Sequence, residues 1–314
     1  TLTTDPVSFT LAPGGEVTVK VMADVVEAPV GSWGFGEIQF TTDVTSTVPA
    51  HFPVAINVAK TNLPEMMMIK TDMEAGSETI EDVKVLSEIT DMTIRQGMQQ
   101  AEYTEGYILE DDNQDWIDDF FVKPNFGNLM VMTYTVSSLG EYDRLVAEVI
   151  TTTSPDLDLF IIYNRAYYAC QSATGATLEY CSIPGPELVT GTYHVVVHNY
   201  KGSEAYSGTV MLPDRVVMGT GLLSYDEAED ELMVTAPETV TMATPFDVNV
   251  GWDVSGYATD TLGVQPPYRY YGVFDLGENA ASPGSIGLTE VDLHYSPKVM
   301  SYIYLPLVTK NFGD

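Results

Sequence analysis

Apolar and polar residues alternate along this chain in short runs with a period near two, and Pro, Gly and Asn break the runs every ten residues or so. The clearest runs are Asp156-Leu157-Asp158-Leu159-Phe160-Ile161-Ile162-Tyr163 and Gly191-Thr192-Tyr193-His194-Val195-Val196-Val197-His198-Asn199-Tyr200. Both are rich in β-branched and aromatic side chains, which suit a pleated, half-buried surface. The same reading predicts strands over 7–11, 16–23, 35–42 and 52–58, then over 120–122, 129–136, 145–151 and 206–212, and finally over 232–237, 246–252, 268–275 and 289–295. Turns are expected at Pro13-Gly14-Gly15 and Pro29-Val30-Gly31-Ser32. Residues 61–75, with Met66-Met67-Met68, read as a connector, and Asp226-Glu227-Ala228-Glu229-Asp230-Glu231 as a solvated linker or short helix. The pattern predicts an all-β chain of tandem β-sandwich domains.

The paired strands 156–163 and 191–200, with a small-residue hairpin between them, resemble the bacterial pre-peptidase C-terminal domain. That resemblance implies a non-catalytic, jelly-roll-like sandwich carried behind a secreted protease. The order Val7-Ser8-Phe9-Thr10-Leu11-Ala12-Pro13-Gly14-Gly15, Gly34-Phe35-Gly36-Glu37-Ile38-Gln39-Phe40 and Val48-Pro49-Ala50-His51-Phe52-Pro53-Val54-Ala55-Ile56 resembles the later half of the fibronectin type III-like domain of subtilisin-like proteases. Half a sandwich implies an apolar face and an open strand edge needing cover. The β-rich stretch after residue 231 and the tail Tyr302-Ile303-Tyr304-Leu305-Pro306-Leu307-Val308-Thr309-Lys310 resemble the trailing module and hydrophobic C-terminus of secreted proteases of Chloroflexi-like bacteria. The expected divisions are 1–62 (partial fibronectin III-like), 63–217 (pre-peptidase C-terminal-like), 218–295 (small sandwich) and 296–314 (tail strand).

At 314 residues and 45% apolar composition the chain can build several cores. Its formal net charge of -32 repels nucleic acid and anionic membrane and favours cations. No stretch is long and apolar enough for a membrane span and no signal peptide appears; the chain begins at Thr1 without a Met, so a mature or excised product whose export signal lay upstream is expected. Cys170 and Cys181 flank a small-residue turn. They are either two buried thiols or a disulfide closing a short loop, a bridge stabilising by roughly 3 kcal/mol and suited to an extracellular setting.

Catalytic chemistry finds no carrier. A subtilisin-like triad needs a serine opening a helix after a Gly-Thr-Ser-type turn, and neither that segment nor Gly-x-Ser-x-Gly occurs. Gly31-Ser32-Trp33-Gly34-Phe35-Gly36 has no helix after it and reads as turn glycines. His194 and His198 share a strand face roughly 13 Å apart, too far for one ion, and are expected to be half-exposed. Asp111, Asn113 and Asp115 follow the order that opens many calcium loops. Trp116 and Val122 replace the glycine and glutamate an EF-hand needs, so the choice is a looser calcium site completed by Asp156 or Asp158, or a solvated acidic loop. Tyr167, Tyr168, Tyr180, Tyr200, Tyr268, Tyr270 and Tyr271 are either a polysaccharide- or protein-binding surface or core filling. In the tail, Tyr302 and Tyr304 alternate with Ile303, Leu305 and Leu307 before Val308, and Pro306 suits only an edge strand. Such a tail is expected to complete the open N-terminal sandwich of another copy, building head-to-tail filaments. The alternative is an accessory region that targets an upstream protease domain to its substrate.

Overall fold

The computed structural model describes residues 2–24, 30, 32–43, 49–111, 120–121, 127–207, 209–225, 231–257 and 267–297, and it is built of strands apart from two short helical turns. Two separate ladders come first. Strand β1 (Leu2–Asp5) pairs antiparallel with β2 (Lys20–Ala23), and β3 (Trp33–Phe40) with β4 (Ala50–Asn57). Next come β5 (Met66–Thr71), β6 (Ala75–Val83), β7 (Thr93–Gln100) and β8 (Glu102–Ile108). They are followed by β9 (Leu129–Val136), β10 (Arg144–Thr152), β11 (Asp156–Tyr163), β12 (Tyr167–Ser172), β13 (Tyr180–Pro184) and β14 (Gly191–Lys201). A small hairpin, β15 (Tyr206–Ser207) and β16 (Val210–Met211), leads to β17 (Asp214–Leu223), and β18 (Leu232–Thr235), β19 (Phe246–Asp253), β20 (Tyr268–Gly277) and β21 (Gly287–Tyr295) finish the fold.

One sandwich, the host, sets the sheet β18-β19-β6 against the sheet β5-β21-β20-β7. The other sets β13-β10-β17-β8 against β12-β11-β14-β9, and it is inserted in the chain between β7 and β18. The sheets therefore divide the chain differently from the expected 63–217 and 218–295. Residues read as a connector form β5, parallel to β21, while β6 pairs with β19 and β7 with β20 across the whole insertion. The reason is core formation: Ile69 and Met98 from before the insertion share one buried cluster with Val248, Trp252, Phe274 and Val291 from after it. At Gly76 a side chain would press into the Trp252 ring, 2.5 Å from its Cζ2, so the β6–β19 pairing depends on that missing Cβ.

Where the sandwiches meet, β10, β17, β20 and β21 bury both faces, and period two explains how. On β20, Tyr270, Phe274 and Leu276 enter the host core, while Arg269, Tyr271 and Asp275 point to the other side. On β21, Val291 and Leu293 face the host core and Glu290 and Asp292 face away. On β10, Leu145, Ala147 and Val149 enter the inserted core, and Arg144, Val146 and Glu148 face outward. These outward rows meet. Tyr271, Val146, Ile150, Val217 and Leu223 form an apolar patch between the sandwiches. Arg144 donates to the Asp292 carboxylate at 2.7 Å, to the Gly272 carbonyl at 2.8 Å and to the Tyr180 hydroxyl at 2.5 Å. Arg269 Nε donates to both oxygens of Glu148, at 2.9 and 3.0 Å, and the Tyr271 hydroxyl adds a third bond. These strands are thus interior to a stack of four sheets.

Candidate functional site

The N-terminal ladders are built from aromatic and β-branched residues, as expected of sandwich strands, yet none of the described residues before Val58 is buried. The turn at Pro13-Gly14-Gly15 forms, with the Gly15 amide donating to the Ala12 carbonyl and Gly14 at φ 76°, a left-handed value that glycine adopts without strain. The segment over 7–11 forms no strand, and the run over 16–23 is strand only from Lys20. Phe9, Phe40 and Phe52 lie in a row, the first pair tilted and the second edge-on, with centroids 5.9 and 5.8 Å apart. They line an open groove of about 560 Å³ with Leu11, Val17 and Val19. A second groove of about 370 Å³ lies between Leu2, Phe35, Ile56 and Val58. Phe35 is 80% exposed and Trp33 59%. Among the described residues, β1 and β2 pair only with each other, as do β3 and β4, so each ladder presents unpaired strand edges beside apolar surface. The complementary segment predicted from Tyr302, Ile303, Tyr304, Leu305, Leu307 and Val308 lies outside the described residues.

The expected calcium donors are partly brought together, around a partner that sequence reasoning placed elsewhere. His198 is fully buried, where a half-exposed strand histidine was expected. Its Nε2 lies 3.0 Å from Asp111 Oδ2 and its Nδ1 3.2 Å from Asp158 Oδ2. The ring thus lies between the two carboxylates, one at each ring nitrogen. Asp156 is separate: its Oδ1 is buried without a hydrogen bond, and burial, then Asp158 and Glu179, raise its pKa. Asn113 and Asp115 lie outside the described residues. Among the described residues no group of three or more His, Cys, Asp and Glu side chains is arranged to hold a metal ion.

Beside this cluster Asp214 accepts from Thr153 Oγ1, Asn199 Nδ2 and the Ser203 amide. Burial opposes its ionisation, but these bonds outweigh it and lower its pKa. His194, on the same strand, stacks edge-on against Phe120 instead. Phe120 and Phe121 form a helical turn where a strand over 120–122 was expected, and Val122 lies outside the described residues. Tyr193, Val195 and Val197 enter the core of the inserted sandwich, as the alternation predicts.

Cys170 and Cys181 are joined in a disulfide that ties β12 of one sheet to β13 of the other. The tyrosines separate. Tyr167 and Tyr168 are exposed on the edge strand β12, and Tyr200 borders solvent. Tyr268, Tyr270 and Tyr271 are buried, and Tyr180 is engaged with Arg144, so these four fill the interior instead of forming a surface. No helix among the described residues is long and apolar enough to cross a membrane.

No family model matches the chain, and no curated protein matches it. Among solved structures it is similar to the pre-peptidase C-terminal domain of a collagenase from Bacillus anthracis, at 10% identity over 39% of this chain and 90% of that one, with TM-score 0.25. It is also similar to the M60 catalytic domain with the CBM51-1 and CBM51-2 domains of Clostridium perfringens ZmpB, at 10% identity over 87% of this chain and 27% of that one, with TM-score 0.20. An FMN-binding β-glucuronidase from Faecalibacterium prausnitzii L2-6 matches at 8% identity over 65% of this chain and 40% of that one, with TM-score 0.23. TM-scores this low carry no argument, and the all-β sandwich architecture rests on the strand pairing itself.

Proposed function

We propose that the chain is a non-catalytic extracellular structural or adhesive element, derived from the C-terminal region of a secreted subtilisin-like protease, that acts by association instead of chemistry. Residues 302–308 of one copy add as a strand to the uncovered N-terminal ladders of the next, building head-to-tail polymers. The observation that carries this reading is the absence of any buried side chain among the described residues before Val58, beside a row of phenylalanines of which Phe9 and Phe52 are exposed. A pair of two-stranded ladders without a core needs a partner to be stable. The Cys170–Cys181 bridge supports an oxidising compartment. Light scattering after size exclusion, with negative-stain microscopy, tests the proposal on the full chain and on one lacking residues 301–314. Polymers in the first and monomers in the second are expected; polymers that survive the deletion overturn strand donation.

The alternative is an accessory region that holds a protease domain against a protein or polysaccharide matrix. Tyr167 and Tyr168, exposed together on an edge strand, favour it. A full chain that stays monomeric and sediments with an insoluble matrix decides for this alternative.

A further inference from the structure

At one end of the seam between the two sandwiches lies a cleft of about 410 Å³, within the range of small-ligand sites, which favour domain boundaries. Both sandwiches build it. From the host come Arg95 on β7 and Asp275 on β20, and from the insert come Asp143, just before β10, and Tyr225, just after β17. Arg95 is held in place. Its Nε donates to Asp275 Oδ2 at 3.1 Å, its Nη2 donates to the same carboxylate, and its guanidinium lies 4.3 Å over the Tyr225 ring. The Asp275 side chain is almost wholly buried, whereas that of Arg95 is 43% exposed, so the anchor is inside and the guanidinium meets the cleft. Asp143 is fixed in turn, its Oδ2 accepting from the Tyr225 amide at 2.9 Å.

Two loops pass so close to these groups that neither admits a side chain. A Cβ on Gly284, at φ 67°, would stand 2.7 Å from Asp275 Oδ2 and 3.2 Å from Arg95 Nη2. One on Gly185 would stand 2.7 Å from the Asp143 Cα. Leu139, Tyr142, Pro186, Leu188 and Leu288 supply apolar walls.

We propose that this inter-sandwich cleft binds a neutral saccharide unit. The guanidinium of Arg95 and the carboxylate of Asp143, which line the same cleft, offer a donor and an acceptor, which suits the vicinal hydroxyls of a sugar, while the apolar walls take its C–H faces. An anion is disfavoured because Arg95 is already neutralised by Asp275, Asp143 adds a second carboxylate, and the whole chain carries a formal charge of -32. The cleft stands apart from the N-terminal ladders, so its test does not depend on assembly.

Saturation-transfer NMR on the full chain with cellobiose, maltose, lactose and chitobiose at millimolar concentration reads the site directly. At least one disaccharide is expected to bind, and Arg95→Lys, which keeps the charge but loses the planar fork, weakens it about tenfold. Leu139→Glu, at a position 73% exposed and so tolerated by the fold, is expected to weaken it as well. Tyr167→Ala/Tyr168→Ala is expected to leave binding unchanged. Absence of transfer from all four sugars, loss of binding in the tyrosine variant alone, or preference for a uronic-acid disaccharide each overturns the proposal.

Discussion

Arg144 of the inserted sandwich and Asp292 of the host meet at 2.7 Å, with both side chains completely removed from solvent. The two sandwiches are therefore joined through groups that neither tolerates alone. Desolvation of the guanidinium is offset by the Asp292 and Glu290 carboxylates, the Gly272 and Val291 carbonyls and the Tyr180 and Ser182 hydroxyls together. Arg144→Ala is expected to destabilise the fold by about 3–5 kcal/mol, because the Asp292 and Glu290 carboxylates then stay buried without their cation; Asp292→Ala should cost less, since Glu290 still faces the guanidinium. Urea unfolding followed by tyrosine fluorescence and by circular dichroism checks this. Coincident transitions in the parent should separate in either variant as the sandwiches uncouple.

Much of the fold was legible in the sequence where β-branched and aromatic runs are bounded by turn residues. In β14 the row Tyr193, Val195 and Val197 lines the core as alternation predicts, while Val196 and His198, with Phe160 and Ile162 of β11, are buried on the opposite face as well. Legibility fails where a polar face is dry. In β20 the run Tyr268–Gly277 mixes Arg269, Asp275 and three tyrosines, a surface composition, yet all of it is buried because its polar side meets the insert. Strand β5 was missed because Met66-Met67-Met68 lacks alternation, and its partner β21 lies more than two hundred residues later, beyond any local signal. For the expected calcium site, the spacing of the carboxylates was visible, but nothing in the spacing indicates that β14 turns His198 toward them.

Acid should weaken the host sandwich through His294. Burial first, then Arg269 and Lys70, lower its pKa from 6.5 to about 4, with Asp292 opposing. The unfolded chain therefore binds the extra proton between those values. Stability from the neutral ring is present above pH 6.5 and is lost as pH falls toward 4, by roughly 2–3 kcal/mol at most, since the ring is partly open to solvent. His294→Gln is expected to flatten the fall in urea midpoint across that interval; an unchanged slope would assign the acid sensitivity to other groups.

Reduction should loosen the inserted sandwich. The Cys170–Cys181 bridge spans a sequence separation of 11 and fastens edge strands of opposite sheets. Cys170→Ser/Cys181→Ser is expected to cost about 3 kcal/mol and to lower the melting temperature by several degrees. Scanning calorimetry of the double variant, and of the parent with reductant, should give the same shift.

His198 offers a test of what balances the buried acids. Asp111 and Asp158 both lie against its ring, and neither is more than slightly exposed. His198→Ala removes the ring that lies between them and is expected to cost about 3–5 kcal/mol, as for a buried polar cluster stripped of one member. Calcium should then raise the melting temperature of the variant, because a cation entering the space left by the ring meets the Asp111 and Asp158 carboxylates. The parent is expected to melt at the same temperature with calcium or with a chelator. A parent stabilised by calcium would instead place an ion among Asp156 and the residues between 111 and 120, and His198 would then be a neighbour of that ion and not its substitute.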